Sequence, residues 1–292
     1  MPLFQGSGVA LATPFTDNGI DFEAYGRLID MQIAGGTDAL VVAGTTGEPS
    51  TLEPEEYEPL VRFAVERAAK RVPVIAGAGS NSTKHAIALS LKAQALGADG
   101  LLHVTPYYNK TTPAGLVAHF KAIADAVELP IILYNVPVRT GLNMKADTVV
   151  ALAGYRNIHA VKEASGDLAQ VTDIARLCAG KLALYSGVDE IILPTLSVGG
   201  VGVISVVANI APRETHDLVA KFLAGDVAGA RALQWKLKPL VDALFTETSP
   251  IPVKAALELM GVCSARTRLP LVPMGAAALA RLEAEMQAFG LI

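Results

Sequence analysis

Eight short runs of apolar and β-branched residues recur along the chain, separated by helix-like amphipathic stretches. The runs cover residues 8–13, 39–43, 74–77, 100–105, 131–135, 159–162, 183–186 and 202–207. Strands that alternate strictly with helices build a parallel sheet, because each parallel crossover needs an intervening segment that is usually a helix. Eight such units predict an α/β fold, a (β/α)8 TIM barrel, in preference to an open sheet.

The last quarter of the chain departs from this alternation. Residues 226–292 contain no comparable strand run, and their apolar residues indicate helices, most clearly over 228–245, 252–260 and 274–288. We therefore expect a catalytic barrel over residues 1–225 and a helical C-terminal domain over residues 226–292. The length of 292 residues suits a barrel with such an appendage.

Composition and charge exclude several classes of function. The net charge is -4 and the charges are interspersed, so the chain has no basic stripe for a nucleic acid. The most apolar run, residues 198–211, is broken by glycines and is too short to span a bilayer. The N-terminus has no basic segment ahead of an apolar one, as a signal peptide would. These observations predict a cytoplasmic protein with no membrane or nucleic-acid partner.

Cysteine and histidine usage argues against a bound metal. Cys178 and Cys263 are the only cysteines, which excludes a disulfide framework and predicts two buried packing residues. The five histidines show no HxxxH or HxH spacing. We expect an enzyme without metal or cofactor.

A barrel places its functional residues at the carboxyl ends of the strands and in the loops that follow. Four segments in such positions carry reactive or polar side chains: residues 44–48, 106–109, 134–141 and 162–163. The candidate active site is therefore expected at this end of the barrel.

Lys162 is the candidate nucleophile. Strand alternation places it on the same face as Ala160 and Ile158, so it is expected to point into the barrel. A buried ammonium is costly, and burial activates a lysine amine to attack carbonyl groups. A lysine that extends its amine to solvent is the simpler interpretation of one lysine alone. The neighbouring polar residues favour the nucleophile.

Three hydroxyl groups accompany the lysine. Thr45, Tyr108 and Tyr134 all follow strand ends, and a chain of hydroxyls transfers the protons that Schiff-base chemistry requires. Taken singly, each tyrosine is more commonly a partly buried ring with a hydrogen-bonded hydroxyl, and it is the three together that favour a proton path.

Two further features suit carboxylate groups. The loop with Thr45 and Thr46 offers hydroxyls and backbone N–H groups, although a tight turn with solvated threonines explains it too. Arg139 can bind a second carboxylate with its planar fork, or it can be an ordinary surface arginine.

Glu48 and Glu163 receive no catalytic role, since each can anchor a loop by hydrogen bonding. The glycine-rich residues 197–202 fit either a phosphate cradle or a tight barrel corner.

Five motifs make the chain similar to a known family. They are GTTGE at 44–48, VTPYYNK at 104–110, ILYNVPVRTG at 132–141, VKEASGD at 161–167 and GVISVVAN at 202–209. Over essentially its whole length the chain resembles the dihydrodipicolinate synthase family, within the pyruvate-dependent class I aldolase superfamily that includes N-acetylneuraminate lyase.

The resemblance implies a lyase that condenses pyruvate with aspartate 4-semialdehyde, at the branch step towards diaminopimelate and lysine. It also implies a homotetramer, a dimer of dimers in which Tyr108 reaches the neighbouring subunit's site. The implied roles are Schiff-base formation for Lys162, proton transfer for Tyr134, Thr45 and Tyr108, pyruvate binding for Thr46, Gly187 and Ile204, and binding of the second substrate's carboxylate for Arg139.

Two alternatives remain open. An aldolase or dehydratase of 2-keto-3-deoxy sugar acids would use the same lysine, whereas Arg139 in RTG favours the synthase. A keto-acid sensor without turnover would need an incomplete hydroxyl relay.

Inhibition by lysine is expected to be weak or absent. Asn81 and Tyr107 match the family's regulatory site, but the usual acidic residue and histidines are replaced, by His85, Pro54 and Tyr57.

Overall fold

The chain folds into a closed barrel of eight parallel strands, in a computed structural model that describes residues 2–292. Each strand pairs with the next along the chain, and the last pairs with the first. The strands are β1 Gly6–Ala10, β2 Ala39–Val42, β3 Val74–Gly77, β4 Gly100–Val104, β5 Ile131–Asn135, β6 Ile158–Glu163, β7 Ala183–Ser186 and β8 Gly202–Ser205. The predicted (β/α)8 barrel is confirmed.

One helix follows each strand and covers the outside of the barrel. The helices are α1 Phe22–Ala34, α2 Tyr57–Ala68, α3 Thr83–Ala95, α4 Pro113–Ala126, α5 Ala146–Leu152, α6 Leu168–Leu177, α7 Ile192–Ser197 and α8 Pro212–Leu223. Asp21, Ser82, Thr112 and Asp167 begin four of them, each with a side-chain oxygen that accepts a first-turn N–H. A two-stranded hairpin, Phe15–Thr16 and Gly19–Ile20, lies between β1 and α1.

Strand alternation creates two apolar layers. Ile132, Tyr134 and Ala160 lie in a cluster inside the barrel, whereas Leu133 and Val161 belong to the larger cluster between strands and helices. Because successive side chains of a strand point to opposite faces, Lys162 shares the inward face with Ala160. The predicted inward orientation of Lys162 follows from this register. The prediction that Ile158 shares this face is wrong: Ile158 lies in the outer cluster, because the pairing of β5 with β6 shifts by one residue between Ile158 and Ala160.

The C-terminal residues are helical, as expected: α9 Val227–Leu244, α10 Ile251–Leu259 and α11 Ala276–Phe289. Helix α9 packs against α8 of the barrel, and α11 packs against α9 and α10. The division at residue 225 stays a prediction, and α8 ends and α9 begins on either side of it.

Within residues 2–292, no helix is long and apolar enough to cross a membrane. The same residues contain no group of three or more His, Cys, Asp or Glu side chains placed to hold a metal ion. Cys178 and Cys263 are both buried and unpaired, which confirms them as packing residues.

Candidate active site

A cavity of about 600 Å³ opens at the carboxyl ends of strands β2 to β5. Its wall includes Thr45 after β2, Tyr134 at the end of β5, Arg139 in the following loop, and Ser249 from the C-terminal helical region. The cavity is therefore at the end of the barrel where the sequence predicts the site, and its wall is completed by residues outside the barrel.

Lys162 and Tyr134 lie side by side, and Tyr134 is part of the cavity wall. They are direct partners in the pairing of β5 with β6, and both are almost fully buried, with 4% and 6% of their surface exposed. The Nζ atom of Lys162 lies 4.3 Å from the centroid of the Tyr134 ring. Because β6 pairs with a strand on each side, the backbone that carries Lys162 is held in place. The amine and the phenol thus form a fixed pair next to the cavity.

Gly187 provides the space that Lys162 occupies. A Cβ atom at this position would lie 3.1 Å from Cε of Lys162 and 2.6 Å from Cβ of Ala164, so a side chain does not fit. The Gly187 N–H donates to the carbonyl of Glu163 at 2.8 Å. Ile204, on β8, is fully buried in the interior cluster that also holds Tyr134.

Thr45 and Thr46 form a single 3₁₀ turn directly after β2, spanning Thr45–Gly47. Thr45 lines the cavity, and Thr46 is buried beside it with 2% exposure. The turn ends at Glu48, whose φ of 54° is left-handed. The Glu48 carboxylate accepts a hydrogen bond from Lys254 Nζ at 2.7 Å, so this residue anchors the loop.

Glu163, the residue after Lys162, also anchors a loop. Its carboxylate accepts hydrogen bonds from Asn135 Nδ2, at 3.0 and 3.1 Å, and from the N–H of Ser165 at 2.8 Å. Burial raises the pKa of this carboxyl, and these hydrogen bonds oppose the shift. It points away from the barrel interior by strand alternation, on the side opposite Lys162.

Arg139 lies in a one-turn helix, Pro137–Thr140, that follows β5. Its side chain is exposed, and Nη2 donates to the backbone carbonyl of Ser249 at 2.9 Å. This contact directs the guanidinium to the mouth of the cavity, where it retains further N–H donors for an anion.

The fold of a single chain does not place Tyr108 beside Lys162. Its side chain is 91% exposed, its φ is 68°, and the cavity is lined by Tyr107 instead. Asn81 and Asn109 hold this loop through hydrogen bonds that link Asn81 to Tyr107 and Asn109 to Asn81. The loop therefore presents Tyr108 outward.

Asp189 is a buried acid beside the site that the sequence interpretation did not single out. Its Oδ2 accepts the N–H groups of Val206 and Val207 at 3.0 and 2.8 Å, and within residues 2–292 its Oδ1 has no partner. Burial raises the pKa of Asp189, whereas these bonds and the charge of Lys162 lower it. The available signal was an acid two residues after Gly187, at the end of a barrel strand.

The glycine-rich residues 197–202 form the connection from α7 into β8. Gly199 has a φ of 109°, and a Cβ at Gly200 would lie 2.8 Å from the carbonyl oxygen of Thr195. This segment precedes a strand, so it lies at the opposite end of the barrel from the cavity. Its glycines are explained by the tight corner.

In both sequence and structure, the chain is similar to known proteins of one family. The Dihydrodipicolinate synthetase family matches residues 3–289. A 4-hydroxy-tetrahydrodipicolinate synthase from Caldicellulosiruptor saccharolyticus is 59% identical over 94% of this chain and 93% of its own. The dihydrodipicolinate synthase of Thermotoga maritima superimposes with a TM-score of 0.98 at 42% identity, covering 100% of both chains. A chloride-inhibited synthase from Acinetobacter baumannii, solved with pyruvate, has a TM-score of 0.97 at 45% identity, covering 99% of both chains.

Proposed function

The chain belongs to the dihydrodipicolinate synthetase family, and we propose that it condenses pyruvate with L-aspartate 4-semialdehyde through a Schiff base on Lys162. It is a lyase of diaminopimelate and lysine biosynthesis, the activity named for relatives 50 to 59% identical to it. The observation that carries the proposed site is the buried contact between Lys162 and Tyr134.

The first half of the reaction takes place on the lysine. The neutral amine attacks the keto carbon of pyruvate, and the carbinolamine loses water to give an imine. Loss of a proton from the pyruvate methyl group then gives the enamine, the carbon nucleophile. We assign these proton exchanges to Tyr134, whose ring lies against the amine, together with Thr45, which also lines the cavity.

Pyruvate is oriented by its carboxylate. The hydroxyl of Thr46 and the backbone of the Thr45–Gly47 turn are suited to that group, because the turn follows the carboxyl end of β2 and its first residue, Thr45, lines the cavity. The backbone at Gly187 and Ile204 closes the opposite side, and the absent side chain of Gly187 leaves Lys162 in its place beside Tyr134.

The second substrate meets Arg139 at the cavity mouth. The enamine carbon attacks the aldehyde, and ring closure through the substrate's amine releases the cyclic product and regenerates Lys162. The guanidinium at the mouth supplies a bidentate partner for the aldehyde's remote carboxylate. A sugar-acid substrate would present hydroxyl groups to this position, and an arginine fits them less well.

Reductive trapping tests the lysine chemistry. Borohydride added to the protein with pyruvate is expected to leave a reduced adduct on the peptide that contains Lys162, identified by mass mapping. Lys162→Ala should give no adduct, and Lys236→Met, which removes an exposed lysine and retains Lys162, should give the same adduct as the parent. An adduct found elsewhere, or none, would refute the proposed site.

The choice of second substrate is tested with Arg139→Ala. We expect this variant to trap pyruvate normally while its kcat/KM for aspartate semialdehyde falls by about two orders of magnitude, the effect of a lost charge-assisted bidentate contact. The purified protein should prefer aspartate semialdehyde over sugar aldehydes. Equal use of a sugar aldehyde, with little effect of Arg139→Ala, would favour the sugar-acid enzyme.

We propose further that the protein acts in the cytoplasm as a homotetramer in which Tyr108 completes the neighbouring subunit's hydroxyl relay. The outward position of Tyr108 supports this arrangement. Co-expression of Tyr108→Phe with Lys162→Ala provides the test, because a mixed dimer then contains one site with both residues intact. Restored activity supports the shared site. Activity no higher than that of the separate variants would mean that Tyr108 does not act across subunits.

A further inference from the structure

A buried ion pair joins the helical C-terminal region to the loop that carries Thr45 and Thr46. Lys254, on α10, places its Nζ 2.7 Å from Oε1 of Glu48, and the two side chains are 0% and 2% exposed. The partners are 206 positions apart in the chain. Among the ion pairs within residues 2–292, this is the one with both side chains fully buried.

The pair is completed by the segment that follows α10. The other carboxylate oxygen of Glu48, Oε2, accepts the backbone N–H of Arg268 at 3.0 Å. The ring of Phe15 lies below both cations, with Lys254 Nζ at 4.3 Å and the Arg268 guanidinium at 4.2 Å from its centroid. Both oxygens of Glu48 therefore accept from groups of the C-terminal region.

The position of Glu48 controls the turn before it. The N–H of Glu48 donates to the carbonyl of Thr45 at 3.2 Å, and Gly47 donates to Gly44 at 2.8 Å. Thr13 adds a third contact, donating its hydroxyl to the Gly47 carbonyl at 2.9 Å. A left-handed φ of 54° at a residue with a side chain is unfavourable unless surrounding contacts impose it. The Glu48 carbonyl accepts from the N–H and the hydroxyl of Thr51 at 3.1 and 3.2 Å, and the contacts of the Glu48 carboxylate add to these in holding the conformation.

A buried ion pair is a weak means of stabilising a fold, since desolvation offsets much of the attraction. What the ion pair of Lys254 and Glu48 does instead is fix the position of the Glu48 backbone. Burial lowers the pKa of Lys254, and the Glu48 carboxylate opposes that shift. An apolar pair would pack in the same space but would not specify where the Glu48 backbone lies.

We propose that Lys254 and Glu48 are positioning residues that hold Thr45 and Thr46 in the geometry required for pyruvate binding. The inference rests on the proposed function, and it makes the helical C-terminal region part of the catalytic apparatus. Neither side chain lies at the reacting atoms. Each acts through the backbone of the turn.

The test compares Glu48→Gln and Lys254→Met with the parent by borohydride trapping over a range of pyruvate concentrations. Both partners of Glu48 are donors, so an amide can accept from only one of them, and Glu48→Gln breaks the pair with little change of shape. We expect the half-saturating pyruvate concentration to rise by about tenfold to a hundredfold, the scale of a small misplacement of binding groups. The assay is run well below the melting temperature of each variant.

Lys236→Met is the matched control, since it removes a lysine from an exposed ion pair with Glu214. It should leave the half-saturating concentration at the parent value. Variants that melt earlier but saturate at the parent concentration would show a purely structural pair and overturn the inference. If Lys254→Met does not fold, Glu48→Gln alone decides. A parent protein that traps no pyruvate would instead refute the proposed function.

Discussion

Lys162 and Tyr134 are in-register partners on adjacent barrel strands, with Nζ of the lysine 4.3 Å from the centroid of the tyrosine ring. Strand pairing fixes the two Cα atoms, and burial restricts both side chains. The pair is thus preorganised, so little rearrangement is needed when a keto acid enters.

Tyr134→Phe should separate proton transfer from packing. The ring stays over Lys162 while the hydroxyl is lost, so we expect kcat to fall by about 10²- to 10⁴-fold with little change in melting temperature. Tyr185→Phe is the matched control, because Tyr185 also pairs with Lys162 but donates its hydroxyl to the Phe4 carbonyl at 2.6 Å. That variant should lose about 1 kcal/mol of stability and keep its kcat. Equal losses of kcat in both would exclude a special role for Tyr134.

Gly187→Ala should impair Lys162 without unfolding the barrel. The added Cβ meets Cβ of Ala164 at 2.6 Å and Cε of Lys162 at 3.1 Å, so the end of β6 and the lysine beside Tyr134 must both shift. We expect borohydride trapping of pyruvate to slow by at least about tenfold, as measured by mass spectrometry of the intact protein. Gly26→Ala, within α1, should trap at the parent rate. If Gly187→Ala traps pyruvate at the parent rate, Lys162 does not need the space that the absent side chain of Gly187 leaves.

Lysine should inhibit the enzyme weakly or not at all. His85 replaces the acidic residue typical of strongly inhibited members of the family, and its Nδ1 lies 3.5 Å from Ser80 Oγ in the cavity wall. Without that carboxylate, the ammonium of a bound lysine loses a partner. Steady-state rates with added lysine measure this, and His85→Glu is expected to increase inhibition. Strong inhibition of the parent at submillimolar lysine would contradict the prediction.

Stability should fall as the solution is acidified below the ordinary pKa of histidine. Burial lowers the pKa of His103 to about 3, so between pH 6.5 and 3 the unfolded chain binds a proton there that the folded chain does not. Unfolding is therefore favoured as pH falls, by about 2 kcal/mol at pH 5 relative to neutral pH. Denaturant titrations of the parent and of His103→Leu at several pH values measure this. The same pH dependence in both proteins would remove His103 as the cause.

Local sequence determined the strand-and-helix alternation, the inward direction of Lys162 and the burial of both cysteines. These properties depend on residues a few positions apart, where side-chain periodicity is visible. Three strands match their predicted bounds, over 74–77, 131–135 and 183–186. The first strand begins two residues earlier than predicted, at Gly6, because its pairing with Gly202 starts there.

Only the tertiary structure decided which distant groups meet. No local pattern reveals that Glu48 pairs with Lys254, that Arg139 donates to Ser249, or that Tyr108 points outward. Those contacts exist because barrel closure brings the strand ends together and the C-terminal helices pack beside them. The sequence specified the amine, hydroxyl, carboxylate and guanidinium groups, because each of them belongs to a particular residue type. Their distances depend on how segments far apart in the chain pack.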